Sequence, residues 1–241
     1  MQIIEARSYD DMSRRAANVI AAQINLKQDS VLGLATGSSP VGTYRSLIER
    51  YQAKEIDFAH IKTFNLDEYV GLSPESDQSY RYFMESNLFN HVNIIEDNIN
   101  FLNGVANDLT AECVRYENRI EELGGIDLQL LGMGHNGHIA FNEPSDRFER
   151  ATFPVELTQS TIEANKRFFA SEDEVPRRAL TMGIGTIMQA RVIVVVVSGT
   201  EKAHIVERAL NGPICPEVPA SILQLHGNVI FIGDTDALAL L

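Results

Sequence analysis

The chain has 241 residues, 44% of them hydrophobic, enough to bury the core of one large α/β domain or two small ones. Its 33 acidic residues against 20 Lys and Arg give a net charge of −13, which argues against nucleic acid or an anionic membrane as partner, since both demand a basic face. No stretch approaches the roughly 20 apolar residues that cross a bilayer.

Residues 2–6 read as a short strand, and 9–27 carry apolar residues at helical spacing. A strand over 31–35 precedes a helix from about 40 to 53, and a strand over 61–65 precedes a helix over 79–90. Residues 98–102 are extended, 109–123 helical, and 126–131 form an apolar strand ending in Gly132-Met133-Gly134. An extended excursion over 150–157 leads to a short helix over 159–169, then to 179–182 and a helix over 184–190. The core strand 191–197, a helix over 201–210 and a last strand over 229–232 complete the series. Repeated strand–helix–strand units without a long linker imply a single-domain, doubly wound, mostly parallel sheet with helices on both faces, a Rossmann-like α/β fold. Residues 145–175 form its candidate lid excursion. Cys113 and Cys215 are too few and too isolated for a disulfide framework or a zinc site, and residues 1–5 lack the regions of a signal peptide. Both point to a reducing cytoplasm.

Polar residues gather just past the apolar strands, where open α/β sheets place ligands. The richest cluster is Asn136-Gly137-His138-Ile139-Ala140-Phe141-Asn142-Glu143-Pro144. A His and a Glu five apart in a Gly-rich loop suit an imidazole held by a carboxylate for proton transfer. The plain alternative is a loop whose polar groups satisfy one another.

Strand 31–35 runs into Thr36-Gly37-Ser38-Ser39-Pro40, with Ser39 as N-cap and Pro40 at the first helical position. Such a turn either simply caps a helix or turns its amides toward an anion such as phosphate. After strand 61–65 come Asp67 and Glu68; one acid can enter the crevice as a general base while the other faces solvent or a partner. No companion carboxylates stand at metal-ligand spacing, so no metal is expected. Arg167 and Lys202 are cations near element ends, and Lys202 falls again at the ligand edge, where a point charge suits phosphate. His60, His91, His204 and His226 read as structural; His135 stands close enough to line the motif loop.

Together, residues 34–40, 64–69 and 136–144 resemble the glucosamine-6-phosphate deaminase family, and the similarity continues through 164–169, 179–183 and 223–226. The resemblance covers nearly the whole chain in one order. It implies one catalytic domain over 1–241 that converts glucosamine 6-phosphate and water to fructose 6-phosphate and ammonia, a hydrolase of amino-sugar breakdown needing no cofactor. By motif position, His138 is the ring-opening acid/base, Glu143 holds and charges its imidazole, and Asp67 removes the C2 proton. Thr36, Gly37, Ser38, Ser39, Arg167 and Lys202 match the phosphate clamp.

Many family members carry Asp where this chain has Asn136, which can hydrogen-bond the imidazole without adding charge. Longer relatives add a carboxyl-terminal segment used for allostery and hexamers; its absence here implies a non-allosteric monomer or small homo-oligomer. Galactosamine-6-phosphate deaminase is the nearest alternative reading. A 6-phosphogluconolactonase shares the fold and a Gly-His loop, but lactone hydrolysis needs no C2 base; a sugar-phosphate sensor without turnover would have no need for Asp67, His138 and Glu143 together.

Overall fold

The computed structural model describes residues 1–166, 169 and 171–241. In chain order the main elements are β1 (Gln2–Ala6), α1 (Tyr9–Leu26), β2 (Val31–Leu34), α2 (Val41–Gln52), β3 (Lys62–Asn65), β4 (Asp67–Tyr69), α3 (Tyr80–Asn87), β5 (Ile99–Asn100) and α4 (Leu109–Glu122). They continue with β6 (Leu128–Leu131), β7 (Phe153–Glu156), α5 (Gln159–Asn165), β8 (Arg178–Thr181), α6 (Ile184–Met188), β9 (Val192–Val197), α7 (Ala203–Asn211) and β10 (Val229–Asp234). Local chemistry sets several starts. Ser8 caps α1 by accepting from Asp11 N, with Asp10 and Asp11 at the positive helix end, and Asp108 caps α4 through Ala111 N.

The central sheet runs β1-β10-β9-β6-β2-β3-β5, and every pairing in it is parallel. Its inner strands are buried on both faces, and successive residues alternate between two cores. In β9, Ile193, Val195 and Val197 pack with α4, α6 and α7, whereas Val194 and Val196 pack with α1 and α2. From β2 the chain moves outward through β3 and β5, then returns to β6 on the other side of β2. Loops leaving the carboxyl ends of β2 and β6 therefore diverge, and a crevice opens at that switch point. Among the described residues, no helix is long and apolar enough to cross a membrane.

The expected α/β architecture is present, with one addition. β4, β8 and β7 form a separate antiparallel sheet in which Asp67 and Phe153 both pair with Thr181. Residues 67–69 read as a loop in the sequence because they are polar and short, yet β8 satisfies their backbone. A third apolar cluster (Tyr69, Phe141, Leu157, Ile162, Val175 and Ala179) fills the space between this sheet and α5. Two local expectations are corrected. Pro40, not Ser39, occupies the N-cap of α2, and no side chain caps that helix, because the turn continues one residue further than expected. The helix expected over 201–210 is a 3-10 turn over Thr200–Lys202 followed by α7.

Candidate active site

A cavity of ≈ 390 Å³ lies at the carboxyl ends of four adjacent strands, β9, β6, β2 and β3. Residues 35–39 follow β2, Leu66 and Asp67 follow β3, Gly132 to Asn136, His138, Ala140 and Phe141 follow β6, and Ser198, Glu201 and Lys202 follow β9. Tyr80 from the start of α3 and Thr161 and Asn165 from α5 complete the walls. The cavity therefore brings Asp67, Asn136, His138, the 36–39 turn and Lys202 together. Arg167 lies outside the described residues.

Asp67 is 6% exposed, and among the described residues no hydrogen bond reaches its carboxylate. Burial, reinforced by the neighbouring Glu68 charge, pushes its proton affinity up to about 8. A carboxylate with bare oxygens facing a cavity, holding a proton near neutral pH, is suited to proton transfer. Glu68, the acid outside the cavity lining, does not face solvent, one of the two places the sequence left open for it. It is buried and accepts from Tyr69 N at 2.8 Å, Tyr80 N at 3.0 Å and Arg81 N at 3.0 Å. Burial raises its proton affinity, and these amides oppose the rise. Glu68 thereby docks the positive end of α3 onto β4 and holds Tyr80 at the cavity wall.

The loop after β6 is tightly closed. Gly134 N donates to His138 O at 2.9 Å, and the His138 ring lies so close over Gly134 that an added Cβ would sit 2.4 Å from two ring atoms. Ala140 holds a left-handed φ of 52°, a conformation that costs an L-residue of order 1 kcal/mol. Asn142 secures the turn, its Nδ2 donating to Ile139 O at 3.0 Å and to Met182 O at 2.8 Å.

His138 Nδ1 is buried 3.4 Å from Glu143 Oε2, at ion-pair distance but off the line of a full hydrogen bond. The His138 side chain is 22% exposed against 7% for Glu143, so the carboxylate is the more buried partner, and His138 lines the cavity. Burial raises the Glu143 proton affinity, but the approach of His138 and hydrogen bonds from Thr161 and Asn136 outweigh it and hold the carboxyl below its usual range. Asn136 does not bond the imidazole as expected. Its Nδ2 donates to Glu143 Oε2 at 2.7 Å and its Oδ1 accepts from His138 N at 3.2 Å, across the turn at Gly137, whose φ is 85°.

The opposite wall is built for an anion. Gly37 has φ 91°, and among the described residues nothing accepts from the amides of Gly37, Ser38 or Ser39. Tyr9 and Tyr44 brace this turn: Tyr9 Oη donates to Ser38 O at 2.8 Å and Tyr44 Oη to Ala35 O at 2.5 Å. Lys202 is 8% exposed, and its Nζ donates to Met133 O at 2.8 Å, which fixes the ammonium between β6 and β9 at the cavity. Asp234 sets the approach to Lys202 by accepting from Ser198 Oγ at 2.5 Å and Gly199 N at 3.1 Å.

Tyr80, Thr161 and Asn165 were not singled out by sequence reasoning. Asn165 belongs to the quoted 164–169 motif and could have been found there; Tyr80 and Thr161 carry no local signal. His135 lines the cavity as expected, and His226 is structural, its Nε2 lying 2.8 Å from Ala190 O.

Fold and site together define a doubly wound α/β protein with an acid–base cavity at its sheet edge. The chain belongs to the family of glucosamine-6-phosphate isomerases/6-phosphogluconolactonase, whose model matches residues 5–231. It is 57% identical over 232 residues to a glucosamine-6-phosphate deaminase of Lachnoclostridium phytofermentans, covering 96% of this chain and 98% of that one. A glucosamine-6-phosphate deaminase of Clostridium botulinum (strain Eklund 17B / Type B) is 52% identical over 241 residues, covering 100% and 97%. Among solved structures, one described as a monomeric glucosamine-6-phosphate deaminase superposes with a TM-score of 0.98 at 45% identity over 100% of both chains. The 6-phosphogluconolactonase of Thermotoga maritima shares the fold, with a TM-score of 0.75 at 19% identity over 97% and 99%.

Proposed function

We propose that this chain converts glucosamine 6-phosphate and water to fructose 6-phosphate and ammonia. The observation that carries this reading is that a buried carboxylate, Asp67, and an imidazole, His138, backed by Glu143, line one cavity together with the turn over residues 36–39. Relatives at 52–57% identity that bear the deaminase name support it.

In this reading the amides of residues 36–39 and the ammonium of Lys202 bind the phosphate; Arg167 joins them by motif position. Binding energy at that remote group orients C1 and C2. The His138 imidazole takes the proton from O1 and delivers one to O5, opening the ring, while Glu143 stabilises the charged ring form. The open aldehyde acidifies the C2 proton. Asp67, in its ionised form, removes it and returns a proton to C1, which leaves an imine at C2 for water to hydrolyse, releasing ammonia. No cofactor enters these steps. Asn136 acts through Glu143 and the loop backbone rather than on the substrate.

The proposal treats 1–241 as one catalytic domain whose 145–175 excursion, carrying Thr161 and Asn165, serves as a lid. The negative net charge supports a protein without nucleic-acid partners, the monomeric relative supports a monomer, and the unpaired Cys113 and Cys215 fit the cytoplasm. The test is ammonia release from glucosamine 6-phosphate beside its C4 epimer and beside hydrolysis of 6-phosphogluconolactone. Turnover of the first substrate above the other two is expected. Preference for the epimer or the lactone would overturn the assignment.

A further inference from the structure

Both oxygens of Glu143 are engaged, and by different elements. In its own loop, Asn136 Nδ2 donates to Oε2 at 2.7 Å and His138 Nδ1 lies 3.4 Å from the same atom. From α5, the Thr161 hydroxyl donates to Oε1. Thr161 is 4% exposed and lines the cavity. Its own oxygen accepts from Thr158 Oγ1 at 3.1 Å, which orients the Thr161 proton toward the carboxylate. A threonine in a helix commonly bonds a preceding carbonyl of its own turn; this one reaches out of α5 instead. At the other end of α5, Asn165 Nδ2 donates to Tyr69 Oη at 2.9 Å, beside Asp67 and Glu68 on β4. Thus α5 is tied to the imidazole wall through Thr161 and to the Asp67 wall through Asn165.

The terminal torsion of a glutamate is broad, so a carboxylate held by one oxygen can swing. We infer that Thr161 is a positioning residue for ring opening: its hydroxyl locks the Glu143 carboxylate toward His138 and makes that pair depend on the seating of α5. The inference rests on the proposed deaminase reading for its catalytic consequence, but the contact itself does not. Among the described residues, the other charged groups around Glu143 line two cavities. Arg147 and Glu149 share a small second cavity with it and pair with each other at 2.7 Å, while Asp67, Glu201 and Lys202 stand around the main cavity. The element α5 presents to it the neutral hydroxyl of Thr161.

The test compares Thr161→Val, close in shape but without the hydroxyl, with Thr161→Ser. Ammonia release is measured across pH, and the labelled Glu143 carboxyl is titrated by 13C NMR. Thr161→Val should lose roughly ten- to hundred-fold in kcat, the size of one hydrogen bond to a charged group, with KM little changed. Removing a donor to the ionised form raises the Glu143 proton affinity, so the NMR titration should move to higher pH. Thr161→Ser should restore both. In a Glu143→Gln background, Thr161→Val should cost much less than in the wild type. If Thr161→Val does not fold, Thr161→Ala carries the same comparison. Wild-type kcat and titration in the valine variant, equal damage in the serine variant, or full additivity with Glu143→Gln would each overturn the inference. A wild-type protein that releases no ammonia would refute the deaminase reading instead, and the NMR titration would still decide the Thr161–Glu143 contact.

Discussion

Replacing Asp67 with Asn should abolish turnover and, at the same time, stabilise the fold in a pH-dependent way. The folded protein holds the Asp67 carboxyl proton up to about pH 8, against an ordinary value of 3.8. A carboxyl whose affinity rises on folding binds more protons folded than unfolded between those values, so stability falls as pH rises through the window. For one group with these two values, the raised proton affinity lowers the stability of the fold by about 1–2 kcal/mol at pH 5 and about 5 kcal/mol at pH 8. An amide does not titrate there. The stability difference between Asp67→Asn and the wild type should therefore grow by about 3–4 kcal/mol from pH 5 to pH 8, whatever the fixed cost of burying the amide. Urea unfolding of both proteins at several pH values, with ammonia release at each, measures it. A difference that stays flat from pH 5 to 8 would refute the burial argument. Retained turnover in the variant would refute the role of base.

Lys202→Ala should raise KM for the phosphorylated sugar by about 1.5–3 kcal/mol of lost binding, one charge-assisted contact, and leave kcat less affected; steady-state kinetics check it, and an unchanged KM would place Lys202 outside the phosphate site. Arg167→Ala should behave alike in the same assay. Gly134→Ala puts a methyl 2.4 Å from the His138 ring, so kcat should fall sharply while the melting temperature drops only a few degrees, as paired kinetics and calorimetry would show. Light scattering should give the mass of one chain, with a hyperbolic dependence on glucosamine 6-phosphate; a hexamer with a sigmoidal curve would contradict the monomer reading.

Much of the central sheet was legible because its signals are local. Buried parallel strands such as β9 (Val192–Val197) appear as uninterrupted apolar runs, and Ser8 and Asp108 announce helices directly. The second sheet was not legible. β4 is three residues, two of them acidic, and its partner β8 lies more than a hundred positions away, so neither periodicity nor composition marks it. Site residues followed the same division. Asp67, His138, Glu143 and the 36–39 turn stand at strand ends, where position alone raises their weight. Thr161 reaches Glu143 across 18 residues and Asn165 reaches Tyr69 across 96, contacts that only folding creates. Ser39 and Asn136 show the limit in the other direction: residue type suggested a helix cap and an imidazole contact, and backbone geometry sent both side chains elsewhere.

The central claim is that the C–N bond breaks through proton removal at C2 and not through direct displacement. Glucosamine 6-phosphate carrying deuterium at C2 distinguishes the two. Incubated with the protein, it should yield ammonia and fructose 6-phosphate in equal amounts, with the deuterium gone from C2 in every molecule of product, and Asp67→Asn should yield neither product nor label loss. Ammonia released while deuterium stays at C2, in an aldose 6-phosphate, would contradict the account.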